Sequence, residues 1–350
     1  MKNKINENFI SAVKNSDFNK IKYFLTSPKF EEHANINYKT DNGWNALNWA
    51  ILNSNLEIVK YLLSSKDLKE RINIDNPGNP PIVLTSLYGE NGENLDIMKY
   101  LLTSPDLEQH ANINDVDNSK ASALYYACLA CSVEEIKLLV ESPDLKEHAN
   151  IYNLGGNNEN ALMIVSRHGE IEIAKYFIKK MENNIKYSIH DKDNKGRTLL
   201  LHLYNVQNIE LLEYFLFSTE LKENSNITDK DYEGNNLLML AAEANNLIVI
   251  DYVLSNPKLI EKININDKNN KGLNILQIAS LSKREDIVRY LIIEKEITVS
   301  SDTLNWLKGD NDTKEVFHNI LKMIELREFN AHLNMSLNNK KEQITTKKKI

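Results

Sequence analysis

Apolar residues recur along the chain in a fixed phase. Phe9, Leu47, Ile82, Leu124, Leu162, Leu200, Leu238 and Leu276 are separated by 38, 35, 42, 38, 38, 38 and 38 residues. The two irregular intervals nearly cancel, so the phase survives them. An isoleucine stands eleven residues ahead of most of these anchors, at Ile36, Ile113, Ile151, Ile189, Ile227 and Ile265. A period of this length marks a repeat architecture, in which each unit buries one face against the next.

Each copy carries two apolar patterns at helical spacing. In the copy anchored at Leu238, that residue with Ala241 and Ala242 forms one face of a short helix. Val249, Ile250, Val253 and Leu254 form the face of a second. Small residues return at one position, Ala12, Ala50, Ala127, Ala241 and Ala279, where they let two layers approach closely. Asn45, Ser122, Asn160, Thr198, Asn236 and Asn274 precede the first helices. Side chains of these types accept from the free N–H groups of a helix start. Gly43, Gly78, Gly196, Gly234 and Gly272 mark the turn before each first helix. The predicted unit is turn, helix, turn, helix.

A longer phrase also repeats. "SPKFEEHANIN" (27–37) returns as "SPDLEQHANIN" (104–114) and "SPDLKEHANIY" (142–152). Serine followed by proline favours a helix start, so each long copy is predicted to add one helical turn after its second helix. The apolar residue of that turn recurs as Phe30, Leu68, Leu107, Leu145, Leu221 and Leu259.

"DNGWNALNWAILNSNLEIVKYLL" (41–63) and "DKDNKGRTLLLHL" (191–203) resemble ankyrin repeats. The core of that family reads G-x-T-P-L-H-x-A-A followed by I-V-x-x-L-L. The resemblance spans roughly residues 5–300. The family period is about 33 residues; the five added here fall in the repeated serine–proline phrase, as in a bacterial-type extended repeat. The family's T-P-L-H is replaced by "NALN", "SALY", "NALM", "TLLL", "NLLM" and "NILQ", and its histidine is absent from each. The resemblance implies an all-α fold, an ankyrin-repeat solenoid of stacked helix-turn-helix units with an added helical turn per repeat. Its expected divisions are an N-terminal capping repeat (1–38), the repeat array (39–300), a C-terminal capping helix pair (301–330) and a disordered lysine-rich tail (331–350).

Composition narrows the partners. The 350 residues are 42% hydrophobic, enough for a core, and carry a formal net charge of −7. That acidic balance disfavours nucleic acid or an anionic membrane as the main partner. No stretch approaches the ~18 apolar residues of a membrane helix, and "MKNKINENFI" lacks the apolar region of a secretory signal. Two cysteines, Cys128 and Cys131, make no disulfide framework and suit a reducing compartment. The expectation is a cytoplasmic monomer, in its own cell or, if translocated, in a host cell.

Candidate chemistry is sparse. "DKDNKG" (191–196) and "DKDYEG" (229–234) imitate the start of a calcium loop, but its twelfth position holds His202 or Leu240 instead of glutamate. Cys128 and Cys131 supply half of a four-ligand zinc site. His33, His110 and His148 share one phase, and layers about 8–10 Å apart place them too far from one another to share an ion. "LGGNNEN" (154–160) lacks the lysine and hydroxyl of a phosphate loop. No nucleophile–base pair emerges, so no catalytic, cofactor or metal residue is expected.

The resemblance implies a non-enzymatic protein–protein interaction scaffold that binds its partner on a concave face. In the family, contacts come from finger tips and exposed first-helix ends. Here those positions hold Trp44, Leu52, Asn53, Leu87, Tyr88 and Leu129 in the first half. In the second they hold Arg167, His168, Lys195, Arg197, Tyr232, Glu233, Asn235 and Glu243. A bacterial effector that sequesters a host protein is a special case. An enzyme or metalloprotein is the rival class. Its site would fall in the irregular 75–97 region, where "DNPGNPPI" shortens one finger by three residues and "YGENGENLDI" lengthens the next turn by four.

Overall fold

The computed structural model describes residues 2–29, 33–89, 93–152, 155–181, 189–219, 221, 224–309 and 318–329. Phe30, Leu154, part of the lengthened 88–97 turn and the tail from 331 lie outside the described residues. Two units emerge, residues 1–188 with 192–194, and residues 189–191 with 195–350.

Unit 1 holds five copies of a helix pair. They are α1 (Lys2–Lys14) and α2 (Phe18–Thr26), α3 (Ala46–Leu52) and α4 (Leu56–Ser64), α5 (Pro81–Leu87) and α6 (Leu95–Thr103), α7 (Ala123–Leu129) and α8 (Val133–Glu141), and α9 (Ala161–His168) and α10 (Ile171–Lys180). Unit 2 opens with a 3₁₀ turn, η1 (Leu201–Asn205), followed by α11 (Glu210–Phe217). It continues with α12 (Leu237–Glu243), α13 (Leu247–Ser255), the one-turn α14 (Pro257–Ile260), α15 (Ile275–Leu281), α16 (Glu285–Arg289) and α17 (Ser301–Gly309). Residues 318–329 are helical, and Arg327 ties them down by donating to the carbonyls of Ile292 and Ile297 at 3.3 and 3.0 Å. The fold is all-α. Among the described residues the sheet-like pairing amounts to two isolated bridges, Gly78 with Asp117 and Val116 with Ser122.

The phase read from the sequence is the phase of the core. All eight anchors are buried, as are Ala12, Ala50, Ala127, Ala241 and Ala279. Burying one such leucine is worth about 1.5–3 kcal/mol relative to exposing it. The cores form layer by layer because the first helices of successive copies pack on one another.

Five of the six predicted caps accept from the backbone N–H three residues on. Asn45 reaches Asn48, Ser122 reaches Tyr125, Asn160 reaches Met163, Asn236 reaches Met239 and Asn274 reaches Gln277. Thr198 is the exception. Its hydroxyl donates to the Asp229 carboxylate at 2.9 Å, the uncapped segment starts later, and it closes only as η1. Pro81 opens α5 without a side-chain cap; a proline at the first helical position lacks only an N–H that would be unpaired there. At the fingers, Gly196 (φ 78°) and Gly234 (φ 79°) are left-handed, and a Cβ would lie 2.5 Å from the Tyr232 ring and 2.6 Å from Asn270 Oδ1 respectively.

The repeated serine–proline phrase forms a single turn. The equivalent turn is helical at α14, where Asn256 takes the place of the serine. At Ser65, Ser104 and Ser142 it closes instead with one hydrogen bond from the leucine three residues on. The serine N–H completes the preceding helix, and the ring of His110 or His148 meets the serine carbonyl at 3.0 or 3.1 Å; His33 meets that of Ser27. The "HANIN" letters have their own work. Asn112 accepts from the Asn114 N–H, and Asn114 in turn accepts from the Asn150 N–H of the next copy at 2.9 Å. Asn37 does the same for Asn73 at 2.8 Å. The phrase ends one helix, and where it closes on Asn37 or Asn114 it also bonds one layer to the next.

Candidate interaction face

Unit 1 gathers aromatic and leucine side chains at the ends of its first helices. Trp44 precedes α3 and is half-buried. Its ring lies 4.8 Å from Trp49 and 5.7 Å, edge-on, from Tyr88 of the next copy. Its Nε1–H donates to Asn79 Oδ1 at 3.0 Å, and Asn48 donates to the Asn79 carbonyl at 3.0 Å. The shortened, proline-stiffened finger thus holds Asn79 where it anchors Trp44. Lys14 Nζ sits 4.0 Å over the Trp49 ring, and such cation–π contacts contribute about 0.5–1 kcal/mol at exposed sites.

Leu52, Leu87 and Leu129 occupy one position in three successive copies, the last residue of α3, α5 and α7. Leu52 is half-buried; Leu87 is 37% and Leu129 39% exposed. Tyr88, 37% exposed, follows Leu87. Leu87 and Tyr88 are therefore adjacent in the chain, half in the stack and half in solvent.

Other predicted positions are held by the protein itself. Asn53 donates from Nδ2 to the carbonyls of Val13 and Lys14 at 3.2 and 2.9 Å, completing α1 of the preceding copy. Arg167 pairs with the buried Glu159 at 3.0 Å. His168 is exposed at the end of α9, and desolvation, then Arg167, hold its pKa below the usual value. In unit 2, Arg197 lies 5.3 Å from the Tyr204 ring. Tyr232 is 63% exposed and its N–H donates to the Lys195 carbonyl. Glu233 pairs with Lys271 at 3.1 Å, which holds its carboxyl below the usual range. Asn235 is buried against Asp231, and the Glu243 carbonyl accepts from Arg284.

In the 229–234 motif the ligand-like carboxylate is occupied by backbone. Asp231 Oδ1 accepts from the N–H groups of Glu233 and Asn235, and Asp117 and Asn269 do the same at equivalent turns. In unit 1 the Glu159 and Asp193 carboxylates lie within 4.8 Å of each other, with the Arg167 guanidinium as the cation beside Glu159. Cys128 is fully buried, and burial raises its thiol pKa well above the usual value. Cys131 is half-buried and pushed up to about 11 by burial and then by Glu170. Both thiols stay protonated at neutral pH, unlike reactive cysteines.

Two residues of this region escape a reading of the repeat motif. Trp49 joins the aromatic cluster through the helix, five residues from Trp44. Glu135 is 1% exposed on α8, and its signal is comparative. The equivalent positions in six other copies are Ile58, Ile97, Ile173, Leu211, Val249 and Ile287, all aliphatic and buried; in the first copy it is the exposed Lys20.

The sequence matches the family described as ankyrin repeats (3 copies) over residues 6–77 and 199–302, just over half of the chain. No curated protein matches it. Ankyrin repeats are in general protein–protein interaction modules, and the family is typically non-enzymatic. No described helix is long and apolar enough to cross a membrane.

Proposed function

The chain belongs to the ankyrin-repeat family, and we propose from this that it is a non-enzymatic scaffold that docks a protein partner on the concave, first-helix face of unit 1. The observation that carries the reading is that Leu87 and Leu129 end the packed helices α5 and α7 and that Tyr88 meets Trp44 edge-on at 5.7 Å, with Leu87, Tyr88 and Leu129 each more than one-third exposed. Interface hot spots favour aromatic side chains held in place before binding, because little rotamer entropy is then lost. Trp44 acts as the support and Tyr88 as the contact, since the Trp44 indole N–H is already bonded to Asn79. Asn53, Arg167 and Glu233 have intramolecular partners and contribute less.

The test is the affinity of a partner recovered on the immobilised chain, measured by calorimetry. A Leu87→Ala, Tyr88→Ala variant is expected to remain folded by circular dichroism and to bind at least thirtyfold more weakly. That corresponds to the ~2 kcal/mol or more of a true hot spot. Unchanged affinity in this variant, with loss on changing Arg197, Tyr232 and Glu233, would move the site to unit 2.

A further inference from the structure

The fingers of unit 2 are bonded to one another through their tips. Tyr232 N–H donates to the Lys195 carbonyl and Asn270 N–H to the Glu233 carbonyl, both at 2.9 Å. Asn270 adds a second bond, from Nδ2 to the Tyr232 carbonyl at 2.9 Å. Asn194 makes the same pair within unit 1, with its N–H on the Asn157 carbonyl at 2.9 Å and its Nδ2 on the Gly156 carbonyl at 2.7 Å. An asparagine two residues ahead of the turn glycine is therefore a clamp that closes two neighbouring carbonyls of the preceding finger. Charge follows the same column in unit 2. Glu233 pairs with Lys271 at 3.1 Å and lies in the field of Lys195, so successive tips read plus, minus, plus.

The column stops at Lys271. The helical residues Tyr290–Glu294 run into α17 through residues 295–300, and no further finger is built there. Gly196 and Gly234 are buried against the next finger, and a Cβ on either would strike it. Gly272 (φ 74°) is exposed, with nothing within 4 Å of the place a Cβ would take. Ile265 is half-buried where its counterpart Ile227 is buried. Among the described residues, no group donates to the carbonyls of Asn270 and Lys271, the counterparts of the two that Asn270 closes on the finger before. Lys271 also keeps donors to spare, since an ammonium has three and Glu233 takes one.

We propose that this edge is a second docking site, for a turn of a partner protein that presents an asparagine followed by an acidic residue. The asparagine N–H and carboxamide close the carbonyls of Lys271 and Asn270, and the acid faces the Lys271 ammonium. Main-chain bonds of this kind supply affinity and the side-chain positions supply selectivity; opposite charges on neighbouring segments add to both. A second copy of the chain does not fit. Its first finger carries Asp41 where the clamp asparagine is required and Asn42 where the acid is required, so a carboxylate would meet two carbonyl oxygens. The site lies wholly in unit 2 and does not depend on the docking face of unit 1.

The probe is a cyclised peptide of residues 229–236 carrying Tyr232→Asn, its closed turn verified by NMR before use. It is titrated into the full-length, isotope-labelled chain, and amide shifts are followed. The expected result is saturable shifts at residues 268–273. Peptides with Tyr232→Ala, or with Tyr232→Asn and Glu233→Lys together, should bind about tenfold more weakly, the effect of losing one such bond. In the Lys271→Glu chain the preference between the acidic and basic peptides should reverse, which a loss of local structure would not produce. No shift at 268–273 with the peptide in excess, equal affinity for the three peptides, or shifts confined to unit 1 overturns the site. Sedimentation of the chain alone supplies the other arm. Association that grows with concentration and vanishes in Lys271→Glu would make a second copy the occupant and overturn the assignment to a partner's turn. Each of these results leaves Leu87 and Tyr88 to be judged by their own test.

Discussion

Replacing Glu135 with glutamine should change how stability depends on pH. The side chain is 1% exposed, and burial pushes its pKa up to about 7 against 4.5 for an ordinary glutamate. A group whose folded pKa is raised contributes stability that is complete below the unfolded value and lost as pH rises through the folded one. At about 1.36 kcal/mol per pH unit between the two values, the loss amounts to about 3 kcal/mol. Glutamine keeps the shape and cannot ionise. Urea denaturation followed by circular dichroism at pH 5, 6, 7 and 8 measures both proteins, and subtracting one from the other removes every other titration. Relative to Glu135→Gln, the wild type should fall steadily between pH 4.5 and 7 and level off near pH 8. Parallel profiles across this range would show that the carboxyl is solvated or paired, and that the reasoning from its column is wrong.

Other outcomes follow from single contacts. Asn53→Ala should cost about 1–2 kcal/mol, because it leaves the last carbonyls of α1 without their cap; hydrogen exchange should show the loss concentrated in residues 9–16. Lys283→Gly should raise the melting temperature by relieving a left-handed lysine (φ 55°), a conformation that disfavours side chains by about 1 kcal/mol or more; Asn245→Gly should gain less, since asparagine tolerates φ 63°. Arg167→Ala should destabilise unit 1 by several kcal/mol, as removing one partner of a buried pair does, and Glu159→Gln in the same chain should recover part of that loss in a denaturation experiment.

The repeat was legible because its determinants are periodic. Leu124, Ser122 and Gly196 each repeat in phase, so side-chain burial, capping and left-handed turns could be placed without coordinates. Two features were not placed correctly. The serine–proline turn closes with a single hydrogen bond and not as a helix at Ser104 and Ser142, where the histidine meets the serine carbonyl. Thr198 had the right chemistry for a cap and a better acceptor in Asp229, thirty-one residues away. Side-chain partners across layers are equally invisible to a motif. Asn53 and Arg167 occupy surface positions of the family pattern, yet one caps α1 and the other compensates Glu159. Glu135 was readable in principle, as a buried acid in a column that is aliphatic in every other copy but the first, where the exposed Lys20 stands, but only by comparing copies position by position.

The docking face is tested most directly by site-specific photo-crosslinking in lysate. A benzoylphenylalanine replaces Tyr88 or Leu129 on the proposed face, or Glu57 or Glu172 on the exposed sides of α4 and α10. The account predicts one and the same protein covalently captured from positions 88 and 129, competed by excess wild-type chain and absent from positions 57 and 172. Capture from 57 and 172 with none from 88 and 129 would contradict it.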